Sequence, residues 1–131
     1  MKRNIKFRGK HVESGEWIVG YLFQDDDDHF PMIHQGGTLD DWKQVKEETI
    51  GQFTGVLDKN GVEVCEGDII STGNALLSKF AVEYKYGCFG YDFCSFHPIG
   101  GAPEHDYHNF ESDECYFEVV GNIFDNKELI E

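Results

Sequence analysis

The residue types best suited to chemistry in this chain lie between positions 88 and 115, in the series Cys88, Cys94, His97, His105, His108 and Cys115. Structural zinc takes four Cys or His ligands in a tetrahedron, often as two close couplets, and Cys94/His97 with His105/His108 can supply them. The spacing matches no standard zinc signature, however. Cys88 and Cys94 also stand among Phe89, Tyr91, Phe93 and Phe96, where a thiol packs as a small apolar group. A Cys–His nucleophile would use the same residues, but it needs an activating helix N-terminus and an oxyanion hole that the sequence does not provide. No metal and no cofactor is therefore expected.

Two carboxylate groupings invite a cation or acid–base reading. Glu66 and Asp68 flank Gly67 and can in principle hold Mg²⁺ or move protons. A turn explains them more simply: Asp accepts local backbone hydrogen bonds, and Glu stays solvated. Asp25 to Asp28 is a run of four acids, but a calcium loop spaces its ligands alternately and adds a Gly and a distal Glu, which are missing here. That run reads as a solvated loop. Trp17, Trp42, Phe53 and the tyrosines can form a ligand platform, although aromatic residues more often fill a core, and the core is the expectation adopted.

These groups must be positioned by strands. Ile5 and Phe7 alternate with Lys6 and Arg8, which predicts a strand with one buried face and a basic solvent face. A turn at Glu13–Glu16 leads to a second strand with Trp17, Val19, Tyr21 and Phe23 on one face, and the two runs form a hairpin. Phe30 to Ile33 reads as a short strand, and 35–38 as a turn. From Thr38 the chain is either a short capped helix carrying Leu39, Trp42 and Val45 on one side, or an irregular loop with Trp42 plugging the core.

The middle of the chain is the most explicit. Ile50 to Val56 is a strand that enters Asp58-Lys-Asn-Gly61, where Asn60 and Gly61 supply the positive-φ residues of a tight turn. Val62 and Val64 begin the return, and Glu66-Gly67-Asp68 turns the chain again into Ile69 and Ile70. Phe80, Val82, Tyr84 and Tyr86 alternate with Ala81, Glu83 and Lys85 as an amphipathic strand, and Cys88 to Phe96 is its antiparallel partner. A long loop with Pro98, Gly100, Gly101 and Pro103 follows. Cys115 to Phe124 is a last strand interrupted at Gly121-Asn122, with a short turn at the end.

Bulk properties narrow the function classes. The 131 residues suit a single domain spanning 1–131, and 15% aromatic content supplies a bulky core. No stretch is long and apolar enough for a membrane helix, and the N-terminus lacks the apolar core of a secretory signal, so a cytoplasmic protein with free thiols is expected. The formal charge is −14, yet the first ten residues carry five cations and no acid, so the other residues together carry −19. Direct nucleic-acid binding is disfavoured unless one face gathers the basic residues.

Three blocks of the sequence resemble the YopX family of phage and prophage proteins. They are Asn4-Ile-Lys-Phe-Arg8 with Gly15, Trp17 and Gly20; Glu48 to Gly55 with Asp58–Gly61 and Glu66–Ile69; and Val120 to Phe124 with Glu128-Leu129. The acidic loop with the 38–47 stretch, and the Cys/His-rich 88–115 region, depart from the family pattern. The resemblance implies a mainly β fold with an SH3-like barrel or roll, long loops and at most short helices. It also implies a bacterial host cell of a phage or prophage, and structural roles for Gly55, Asp58, Asn60, Gly61, Glu66, Gly67, Asp68, Gly121 and Asn122. It implies no catalytic residue. The leading expectation is thus a non-enzymatic accessory protein that binds a protein partner through loops or a sheet edge, with homo-oligomers compatible. Its rivals are an acidic DNA mimic that inhibits a host nucleic-acid enzyme, and a metal-binding domain or enzyme using 88–115.

Overall fold

The computed structural model describes residues 5–24, 31–37, 41–71, 79–93, 95–99 and 117–130. Twelve strands and two 3₁₀ turns make up the regular structure of these residues, and the fold is mainly β, of the barrel-or-roll kind. The chain divides into two compact units, Met1–Phe53 and Thr54–Glu131.

In the first unit, β1 (Phe7–Lys10) and β2 (Trp17–Phe23) form the expected hairpin, with Phe7 opposite Gly20 and Lys10 opposite Trp17. β3 (Met32–His34) pairs with β2, and β4 (Trp42–Gln44) pairs with β3, both antiparallel. The meander then curls back on itself. His11 bridges Val45, Val12 N–H donates to the Gln44 carbonyl at 3.0 Å, and Lys46 N–H donates to the Lys10 carbonyl at 2.8 Å. Gly9 makes this closure possible, because a Cβ there would stand 2.9 Å from the Val45 Cβ. Ile18, Ile33 and Val45 are the buried centre, with Phe7, Leu22 and Ile50 packed against them. Thr49, in a 3₁₀ turn (Glu47–Thr49), clasps the end of β1: its Oγ1 accepts from Lys10 N–H at 2.9 Å and donates to the Lys46 carbonyl at 2.7 Å.

Both readings of the segment after Thr38 are corrected by β4. Trp42–Gln44 is a strand and Val45 a bridge partner of His11, neither helix nor loop, and Trp42 lies on the surface instead of plugging the core. A sheet that must curl back to β1 needs a fourth strand there, and that tertiary demand outweighs a capping pattern worth about 1 kcal/mol. Thr38 itself is outside the described residues.

β5 (Gly51–Leu57) starts beside β1 and continues into the second unit. There it adjoins β6 (Glu63–Cys65), which turns into β7 (Asp68–Ser71). β7 is the middle of a three-stranded sheet between β12 (Glu118–Asn122) and β8 (Lys79–Ala81). A second sheet has the order β11 (Ser95–Pro98), β10 (Cys88–Phe93), β9 (Glu83–Lys85). The amphipathic run 80–86 is therefore not one strand. It breaks at buried Val82, whose carbonyl accepts from Gly67 N–H at 2.9 Å and whose N–H donates to Asp68 at 2.8 Å. Val64, Ile70, Val82 and Ile99 form the core of this unit.

Candidate functional site

The carboxylates of the central motif are structural in their contacts. Asp58 is buried at the start of the turn. Its Oδ1 accepts from Asn60 N–H at 2.8 Å and Val62 N–H at 2.9 Å, and its Oδ2 accepts from Val119 N–H at 2.8 Å. Burial pushes its pKa up, but the three backbone donors, with Lys59 nearby, outweigh it and hold the group below its ordinary value. Of the two residues expected at positive φ, Gly61 has it, at +83°, and Asn60 does not, because its N–H turns back to Asp58 Oδ1 and a single left-handed residue closes the turn. Asp68 is also buried and accepts from Cys65 N–H at 2.8 Å across Glu66-Gly67, where Gly67 has φ +93°. Such carboxylates stabilise backbone turns. Gly55 is a third positive-φ glycine, at +90°.

Near the C-terminus, β12 carries an irregularity between Val119 and Gly121, where the sequence predicts an interruption one residue later. Asn122 Oδ1 accepts from Phe124 and Asp125 N–H, and Asn122 N–H donates to Asn126 Oδ1. Asn126 thus braces the β12 turn, and its side chain makes no capping bond to the final 3₁₀ turn (Lys127–Leu129).

Of the metal-ligand series, Cys94, His105, His108 and Cys115 lie outside the described residues. Cys88 is a half-buried thiol at the start of β10, and Cys65 is half-buried at the end of β6. His97 lies on β11 and stacks on Tyr91, ring centroids 5.3 Å apart, and burial raises the Tyr91 pKa. Among the described residues, no group of three or more His, Cys, Asp or Glu is placed to hold a metal ion.

Among the described residues, exposed aromatic side chains gather in two places. On the first unit, residues opposite one another on paired strands share a face. The registers Lys10–Trp17, Arg8–Val19, Tyr21–His34–Trp42 and Phe23–Met32 therefore define one outer face, away from Ile18, Leu22 and Ile33. Tyr21 is 66% exposed, Phe23 46%, Val19 44% and Trp42 40%. Trp42 meets Phe23 edge-on at 6.1 Å and His34 at 4.8 Å. The Arg8 guanidinium lies 4.5 Å over the Trp17 ring, and Lys10 Nζ lies 5.3 Å from its centroid.

The second place is the tip of the β9–β10 hairpin. Lys85 pairs with Cys88, leaving Tyr86-Gly87 as a two-residue turn with φ values of +53° and +80°. Tyr86 is the one non-glycine residue with positive φ among those described, and it is 84% exposed. Tyr84 beside it is 56% exposed. Phe96 meets Tyr86 edge-on at 5.5 Å, and Lys85 Nζ donates to Asp92 at 2.6 Å, a bond that raises the lysine pKa.

The core expectation for the aromatics thus holds for Phe53, which is buried under Lys6, and fails for Trp42, Tyr21, Tyr84 and Tyr86. β2 reads Trp-Ile-Val-Gly-Tyr-Leu-Phe, apolar on both faces, so alternation cannot say which face is core. The available signal is Gly20: a Cβ there would collide with the His34 backbone, so the Ile18/Gly20/Leu22 face is the one pressed inward.

The chain is thus mainly β, with the Asp58 and Asp68 carboxylates tied to backbone N–H groups and with exposed aromatic side chains among the described residues. Residues 6–131 match the model of the YopX protein family, and the chain belongs to that family. The crystal structure of protein EF1440 from Enterococcus faecalis is similar in fold, with a TM-score of 0.64 and 24% identity over 99% of this chain and 100% of that one. No curated protein matches the chain.

Proposed function

We propose that this is a non-enzymatic accessory protein, encoded by a phage or prophage and acting in the bacterial cytoplasm, that docks on a protein partner through the tip of the β9–β10 hairpin. The observation that carries the reading is Tyr86. A residue with a Cβ in the left-handed region costs roughly 1–2 kcal/mol, and Asn or Gly would relieve that cost at a two-residue turn. The chain instead holds a bulky ring there, 84% exposed. Strain retained at an exposed position is a pointer to function. Tyrosine suits contact surfaces, because it offers area and a hydroxyl at low entropic cost. A protruding tip fits a concave partner, and the Lys85–Asp92 pair beneath it adds no net charge.

The test is affinity capture from the bacterial host with the wild-type chain and with Tyr86→Asn. A partner held by the wild type and lost by a folded Tyr86→Asn protein is the expected result. Equal capture by both, or no specific capture by either, rejects the hairpin reading. The phage origin rests on the family resemblance, and phage genes on both sides of the coding sequence are expected.

A further inference from the structure

We infer that the outer face of the first unit binds single-stranded nucleic acid. The overall charge argues against such binding unless one face gathers cations, and this face does so. Arg8 and Lys10 project on the same side as Trp17, Val19, Tyr21 and Phe23, with both cations held over the Trp17 ring. The strand registers put Arg8 and Lys10, and no acid, on the face that carries these rings, and at about 0.1 M salt charges beyond roughly 10 Å are screened.

The rings complete the site. Tyr21, His34 and Trp42 form a row across three strands, and Phe23 stands one pleat along β2 from Tyr21. Cross-strand neighbours are about 5 Å apart and same-face neighbours along a strand about 7 Å, distances that successive unstacked bases can follow. Aromatic faces accept any base, so recognition here is tolerant of sequence. A nucleic acid uses phosphates on the cations and bases on the rings together. An acidic polypeptide uses the cations and leaves the rings open, which is why the nucleic acid is the better fit. A duplex hides its bases and fits poorly.

The experiment uses the full chain and a fluorescein-labelled oligothymidylate about 15 nucleotides long at about 50 mM salt. Fluorescence anisotropy should rise on binding, and tryptophan emission should be quenched as bases stack on Trp42. Tyr21→Ala and Trp42→Ala alter exposed side chains, so far-UV circular dichroism should be unchanged while affinity falls roughly tenfold in each. Lys10→Gln should flatten the slope of log affinity against log salt by about 0.7, one phosphate contact. The proposal is overturned by any of four results: no anisotropy change at low salt, wild-type affinity in both ring variants, equal binding of a duplex of the same length, or ready displacement by polyglutamate. The last would identify an acidic polypeptide as the occupant.

Discussion

Asp58 illustrates how one carboxylate becomes a node of the fold. Its local bonds to Asn60 and Val62 build the turn, and its bond to Val119 ties that turn to β12, 61 residues further along the chain. Asp58→Asn keeps an acceptor for the turn but points an amide N–H₂ at the Val119 N–H, so two donors meet and one buried bond is lost. A loss of about 2–3 kcal/mol is expected from urea unfolding near neutral pH. Because the folded pKa lies below the ordinary 3.8, the carboxylate contributes its full stability above pH 3.8, and that contribution fades as pH falls through the folded value. The gap between wild type and variant should therefore narrow below pH 3.8 and stay constant above about pH 5. Persistence of the full gap at pH 2 would show that the ionised carboxylate is not its source. The turns are readable from Gly61 and Gly67, since positive φ is a local demand with few residue solutions. The reach to Val119 is not, because nothing local encodes a contact across 61 residues.

At the scale of elements, the sheet explains which parts of the sequence were legible. β1, β2, β5, β6 and β7 follow from alternation and turn chemistry. β4 was missed because three residues make too short a strand to show a period, and because it exists to close the roll on β1. The break at Val82 was hidden for a related reason: the alternation from Phe80 to Tyr86 is continuous in sequence, but two different sheets use its halves. The roll closure can be tested at its tightest point. Gly9→Ala forces a methyl group against Val45 and should cost about 1–3 kcal/mol, with the urea m-value unchanged. Val45→Ala empties the centre of the same unit and should cost about 2 kcal/mol. A Gly9→Ala chain as stable as the wild type would mean that β1 and Val45 are less closely packed than described. The hairpin tip should respond in the opposite direction. Tyr86→Asn is expected to stabilise the fold by about 1 kcal/mol, read as a rise of a few degrees in melting temperature, because Asn tolerates the left-handed turn. A fall in melting temperature would mean that the packing of Tyr86 on Phe96 outweighs the backbone strain.

For the whole molecule, charge is the dominant long-range term. With 25 acids against 11 lysines and arginines, even complete pairing leaves 14 carboxylates with no lysine or arginine. Several of the pairs that do form are exposed, such as Lys59–Glu118 at 3.4 Å and Lys85–Asp92 at 2.6 Å, and solvent and salt screen pairs of that kind so that they contribute little. Self-repulsion of the compact state should therefore exceed the loss of these pairs when salt is added. The melting temperature at neutral pH is expected to rise as sodium chloride goes from about 0.02 to 0.5 M, where the Debye length falls well below the spacing of distant acids. Oligonucleotide affinity at the outer face of the first unit should move the other way over the same range, since salt screens the cations that hold phosphate. The two titrations on one preparation separate a global effect from a local one. A melting temperature that falls with salt would mean that attractive pairs dominate the surface. Affinity that rises in parallel with stability would assign the binding to apolar contact alone and leave Arg8 and Lys10 without a part in it.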